Sequence, residues 1–266
     1  MSGDEFLVTL VSVAFGPVAW MWWIARASTI AGFRAGRNFV LKLAGVIVLC
    51  VILIERTLRW GAADDVRDAP QYMLMYALLG WAWLWVAGRG FSMLGLSARD
   101  DLLERRNAAA VPAWVGAMIG VTFCYAGGNI GNGPGWWVVV FSAALATAGL
   151  GAAWFVLGEK LRVMDAVTID RDPAAGWRLG GFLAAAGVIC GFGVTGDWVN
   201  VPATVVEFVA RIWPLFPIGI VAALIERAAR PTPQRPRANL MAAGVVPAFL
   251  YVTTAVVVVV LSWPTP

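Results

Sequence analysis

The sequence contains no histidine, and of its 20 basic residues only Lys42 and Lys160 are lysines. Without an imidazole there is no histidine-ligated haem or zinc and no Ser-His-Asp triad. Charge is scarce as well, at 14% of residues, where soluble domains carry about 25%. Cysteine is limited to Cys50, Cys124 and Cys190, each inside an apolar run, where a thiol behaves as a small hydrophobe; neither a disulfide framework nor a metal cluster is spelled out. What is abundant is apolar surface, 60% of 266 residues. That composition excludes an ordinary soluble globule and leaves a polytopic membrane protein, since each crossing takes roughly 20 apolar residues. The preference for Arg over Lys, with the many Ala and Gly, suggests a GC-rich bacterial genome.

Apolar runs fall at 6–25, 39–58, 71–88, 108–127, 135–157, 177–195, 202–225 and 241–262. They predict an all-α, polytopic transmembrane helical bundle of about eight spans, because long runs without period-2 alternation select helices over a barrel. The first run follows Asp4 and Glu5 rather than a basic segment, so it reads as a retained helix and not a secretory signal. Connections after odd-numbered runs carry 14 basic residues, among them Arg26, Arg34, Arg37, Arg235 and Arg237. The other connections carry three, Arg56, Arg59 and Arg67. The positive-inside rule then predicts cytoplasmic odd connections and periplasmic termini. Trp20, Trp22, Trp23, Trp60, Trp136, Trp137, Trp177, Trp198 and Trp263 are expected at helix ends as an interfacial belt.

One register of the chain on itself is informative. Arg106-Asn107-Ala108-Ala109-Ala110 with Gly116 aligns with Arg171-Asp172-Pro173-Ala174-Ala175 with Gly181 at an offset of 171 − 106 = 65. At the far ends Gly131 lies over Gly196 and Asn132 over Asp197. Fainter echoes stand at Arg37-Asn38 with Gly45 and at Arg237-Ala238-Asn239 with Gly244. The expected organisation is a first helix with its loop (1–38), a degenerate hairpin (39–98), two repeat copies (99–165 and 166–230) and a closing helix (231–266).

The stretch Leu96-Ser97-Ala98-Arg99-Asp100-Asp101-Leu102-Leu103-Glu104-Arg105-Arg106-Asn107-Ala108-Ala109-Ala110, running into Gly116 and Gly120, resembles the repeat signature of the YjfL-like bacterial inner-membrane proteins. Their repeat is a domain of unknown function, usually in tandem with two helices per copy. The resemblance covers roughly residues 90–230, and the second copy departs from it in having Asp172-Pro173 where Asn-Val or Asn-Ala is the pattern. It implies location and architecture but no reaction.

Among polar features, Glu207 and Arg211 stand four apart in the seventh run, hence on one helix face. Mid-membrane charges cost about 2.5–3.5 kcal/mol each and usually face a bundle interior. The pair is therefore expected inside the bundle, as a structural bridge or beside a substrate or ion path. Pro214 and Pro217 follow and free backbone carbonyls. Gly116 with Gly120 and Gly187 with Gly191 are small-xxx-small pairs that admit close helix packing, within one chain or at a homo-oligomer seam. Gly127–Gly135 is expected as a tight hairpin, with a pore-entrance loop as the alternative. The acids Asp100, Asp101 and Glu104, with Asp165, Asp170 and Asp172 one repeat later, raise a Mg²⁺-dependent lipid-diphosphate enzyme as an alternative. The leading expectation is a channel- or transporter-like component of envelope physiology without catalytic set or cofactor. A scaffold binding anionic lipid or a soluble partner through its basic loops is the alternative, and no nucleic-acid partner is expected.

Overall fold

The computed structural model describes residues 1–31, 34–230 and 239–263, and is all-helical, with no strand among them. Arg235, Arg237 and Ala238, singled out above, lie outside the described residues. Six continuous helices are long and apolar enough to cross a membrane: α1 Gly3–Ile30, α2 Gly36–Gly61, α4 Ala110–Gly127, α5 Trp136–Leu161, α6 Pro173–Gly193 and α9 Met241–Ser262. The bent pair α7 Val201–Arg211 and α8 Leu215–Ala229, whose axes differ by 44°, makes a seventh when the two are counted as one span. The remaining expected span is α3, Pro70–Gly90, 21 residues long and packed against α1, α2 and α4. Its tryptophans and tyrosines lower its hydropathy without shortening it.

Side-chain contacts gather both termini at one end. Trp136 Nε1 donates to Asp4 Oδ2 at 3.0 Å, Tyr72 Oη lies 3.3 Å from Glu5 Oε2, and the rings of Trp60 and Trp263 stand 5.4 Å apart. This end is called the terminal face. The opposite, arginine-rich face carries Arg26, Arg37, Arg89, Arg99, Arg105, Arg106, Arg162, Arg171, Arg227 and Arg230. The contacts of Asp4, Glu5 and Trp263 thus hold both termini at the same end of the bundle.

Asparagine and aspartate start the helices that run toward the terminal face. Asn107 Oδ1 accepts from Ala109 N at 3.0 Å, Asp172 Oδ1 from Ala174 N at 3.0 Å, and Asn239 Oδ1 from Met241 N at 2.9 Å. Each satisfies amides that a helix N-terminus leaves open. Further features recur at the offset of 65. Arg106 and Arg171 both adopt positive φ, 48° and 54°, and Gly131 and Gly196 adopt 113° and 117°. Asn107 N donates to Asp101 O at 2.8 Å and Asp172 N to Ala166 O at 2.9 Å. Asp172 thus keeps the capping role of Asn107, because the shared chemistry is the acceptor oxygen. The echo at Asn38 has no such start, since it lies inside a helix that begins at Arg34, and a methyl on Gly45 would meet nothing within 4 Å.

α4 and α6 run in parallel, backbone against backbone. A methyl group on Gly176 would stand 2.0 Å from Ala109 O, on Gly116 2.0 Å from Gly180 O, on Gly187 2.2 Å from Gly120 Cα and on Gly127 2.1 Å from Gly191 O. Only glycine fits such contacts, and lipid supplies no hydrophobic force to replace them. α9 lies along the other side of α6, where a methyl on Gly181 would come 2.4 Å from Ala248 Cα. These small-residue pairs are therefore used within one chain. α1 is wound into a π turn at Ala14–Val18, where Gly16 and Pro17 interrupt regular helix, and Gly16 packs on Leu78, Trp81 and Ala82 of α3. Trp20 is consequently buried, edge-on to Trp23 and Trp85, rather than part of an interfacial belt. Trp60, Trp136, Trp137, Trp198 and Trp263 do cluster at the terminal face. The three cysteines are buried and unpaired with one another.

Candidate functional site

Two polar places stand out against this apolar frame. The first is on the arginine-rich side, between α6, α8 and α9. α6 begins at Asp172, with Pro173 in the first helical turn, so Arg178 sits about a turn and a half inside it. Its Nε donates to Glu226 Oε2 at 2.7 Å and its Nη1 to the Ala243 carbonyl at 2.6 Å; Asp172 Oδ2 is 3.7 Å from Nη2. Both side chains of the Arg178–Glu226 pair are only 3% exposed. Ala243 belongs to a π turn, Met241–Val245, a widening of the helix that recurs at functional sites. Among the described residues, Arg178 Nη2, Glu226 Oε1 and Tyr251 Oη, all buried, have no hydrogen-bond partner. Trp81 Nε1 on α3 is in the same state; what sets this place apart is that two opposite charges share it in a buried position, where polar atoms are almost always satisfied by protein or water.

Sequence reading missed this pair. Arg178 stands beside Trp177 and looks like an interfacial anchor, and Glu226 falls one residue beyond the seventh run. A signal was present: Asp172-Pro173 is a helix start, and it draws Arg178 into the membrane-spanning part.

The second place is a pocket of about 320 Å³ at the terminal face. Its rim is the pair of glycine-containing loops 127–135 and 193–200. These are knit by Gly196 N to Ile130 O at 2.8 Å, Trp198 N to Asn132 O at 2.7 Å, and Asn132 N to Asp197 Oδ1 at 2.7 Å. Glu5, Asp65, Asp197 and Glu207 give it an acidic lining, with Tyr72 and Tyr76 beside them.

Glu207 and Arg211 pair at 3.3 Å, yet their side chains are 52% and 37% exposed. Arg211 Nη1 donates to the Thr195 carbonyl, just past the end of α6. Since Glu226 meets Arg178 and Arg211 meets Thr195, α8 alone covers the depth of α6, and α7 lies over the terminal end. The pair is therefore not at the centre of one straight crossing. The break at Ile212–Pro214, after which α8 begins, moved it there.

The acidic cluster before α4 is occupied locally. Asp101 is buried, with Oδ2 accepting from Ser97 N at 2.8 Å and Oδ1 from Arg105 Nη1 at 3.1 Å, while Glu104 pairs with Arg99 at 2.9 Å. Asp165 pairs with Arg162 at 2.7 Å. Among the described residues no group of three or more acids, cysteines or histidines converges as a metal site; Ser97 caps the Ala98–Glu104 turn, its Oγ accepting from Asp100 N at 3.1 Å, and Asp101 returns the contact to Ser97 N. Asn107 is likewise structural in its contacts, its Nδ2 donating to Val167 O at 2.7 Å. Gly116 and Gly181 sit at helix contacts in the α4–α6 and α6–α9 seams. No protein-family model, curated protein or solved structure matches the chain.

Proposed function

We propose that this integral membrane protein is a transporter- or channel-like component of a bacterial inner membrane, moving a small cation along the flank formed by α6 and the α7–α8 pair. The observation that carries the reading is the buried Arg178–Glu226 pair with its unmet polar atoms. Ionisable residues within crossing helices are expensive and are retained chiefly on ion or substrate paths. The acidic pocket at the terminal face supports a cation, which carboxylates concentrate at a mouth. A discontinuous α7–α8 also fits, because broken helices place polar groups at transport sites. α7 brings Glu207 to the mouth and α8 brings Glu226 to the inner site. The excess of arginine on one face supports placing that face in the cytoplasm and both termini in the periplasm. The features that recur at the 65-residue offset support a tandem repeat of helical hairpins, and the YjfL-like reading of that repeat rests on the sequence resemblance alone.

The test is flux. Purified protein in liposomes, under an imposed K⁺ or proton gradient and read by an entrapped dye, should dissipate one of the two faster than protein-free vesicles. Glu226→Gln should remove the excess rate in protein that still elutes as a single species. Rates equal to protein-free vesicles under both gradients overturn the proposal.

A further inference from the structure

α2, α4, α6 and α9 enclose an apolar groove of about 880 Å³, lined by residues other than the ion pair. It starts at the arginine-rich face beside Arg106, with Trp177 at the same end. Its lining ends at Ile119 on α4, Ala184 on α6 and Val252 on α9, and each of these lies near the middle of its helix. The groove therefore runs from one face to the bundle's midplane and stops. From Ala108 to Ile119 is 119 − 108 = 11 residues, about 17 Å of helix, and one leaflet's hydrocarbon is about 15 Å, half of 30 Å.

We propose that this groove binds one anionic glycerophospholipid, with its acyl chains along α4, α6 and α9 and its phosphate beside Arg106. A half-thickness groove is the shape of a lipid tail and not of a second crossing helix, which needs the full depth. The Gly and Ala floor of the three-helix seam keeps the groove deep, since Gly180, Gly181, Ala184 and Ala248 project little from their backbones. The charge at its open end selects the headgroup. The Arg106 side chain is exposed there, and the N-terminal, positive end of the α4 dipole lies at the same level. Basic pockets between helices at one membrane face are sites for anionic headgroups. Arginine presents a planar fork suited to phosphate. Trp177, 38% exposed at this level, suits the boundary between glycerol and acyl chain.

Native mass spectrometry of the full chain, released from nanodiscs of equal parts phosphatidylglycerol and phosphatidylcholine, tests the assignment. The wild type should retain one lipid, with phosphatidylglycerol preferred about tenfold, the scale of one charge-assisted phosphate contact. Arg106→Gln should lower that preference toward equality while still retaining lipid. Val115→Trp, which fills the groove at half depth, should retain none, and because Val115 is only part-buried this variant should elute as the wild type does. Should Val115→Trp misfold, Ile119→Trp serves the same end. Equal retention of both lipids by the wild type, unchanged retention in the plugged variants, or a lipid-free dimer in place of a lipid-bound chain would each overturn it.

Discussion

The α4–α6 seam and the α6–α8 flank hold the same helix by opposite means. Along the seam nothing polar is needed: glycines bring carbonyl oxygens to about 2 Å from where a methyl would stand, from Gly176 at one end to Gly127 at the other. Along the flank α8 buries only Ile218, Ala222 and Glu226, and its polar tie is Arg178 at one end, with Arg211 on Thr195 just before its other end. Where lipid offers helices no hydrophobic reward for associating, close backbone packing and hydrogen bonds are the two remaining forces. Packing of the first kind has one arrangement. Polar ties can be exchanged for water, ions or solute, which makes the flank the side on which a conformational change is cheap.

The comparison breaks most directly at Glu226. Leaving one member of a buried pair alone costs about 3–5 kcal/mol, so Glu226→Gln should sharply reduce the folded fraction in a denaturant titration in detergent. The double change Arg178→Met with Glu226→Met should restore folding to near wild type, since apolar replacements of buried pairs are often neutral, and should still lack cation flux. Restored flux in the double variant would make the pair a structural tie only.

The seam should respond next. Gly116→Leu places a branched side chain where even a methyl meets Gly180 O, and overpacking costs about 1–3 kcal/mol. Gly45→Leu, facing open space, is the control and should change little. A tolerated Gly116→Leu would mean that α4 and α6 separate easily, and the contrast between rigid seam and adjustable flank would fail.

Much of this frame was legible because hydropathy and capping act locally. All eight apolar runs became helical segments, and the register that paired Asn107 with Asp172 was found from spacing alone. The polar centre was not legible, because Arg178 and Glu226 lie 226 − 178 = 48 residues apart, and each sits beside a residue that explains it away, Trp177 and Arg227. The seventh run misled for a different reason. Its apolarity is continuous across Ile212–Pro214, so hydropathy reads one run, and the break between α7 and α8 is signalled only by Pro214 and Pro217. Trp20 shows the same limit, since nothing local tells a buried indole from an interfacial one.

A smaller effect separates the two capping residues. Asn107→Ala removes the acceptor for Ala109 N and the donor to Val167 O, a loss of about 1–2 kcal/mol. Asp172→Asn keeps an acceptor for Ala174 N but weakens the charge near Arg178, so its stability should change less than that of Asn107→Ala. The reverse order would show that Asp172 belongs to the charged centre more than to the cap.

The smallest effect is expected at Glu207 and Arg211, the pair most conspicuous in the sequence. Both side chains are more than a third exposed, and exposed pairs contribute about 0–1 kcal/mol. Arg211 also keeps its bond to the Thr195 carbonyl when Glu207 is neutral. Glu207→Gln should therefore leave folding within about 1 kcal/mol of wild type, in contrast to Glu226→Gln. Glu207 borders the acidic pocket, so the same change should slow cation flux at low salt and lose that effect at high salt, where screening shortens the reach of a surface carboxylate to a few ångströms. A double-mutant cycle with Arg211→Gln, read by both folding and flux, checks the assignment. A coupling of 3 kcal/mol or more in folding would put the pair in the interior, like Arg178 and Glu226, and the distinction between mouth and core would collapse.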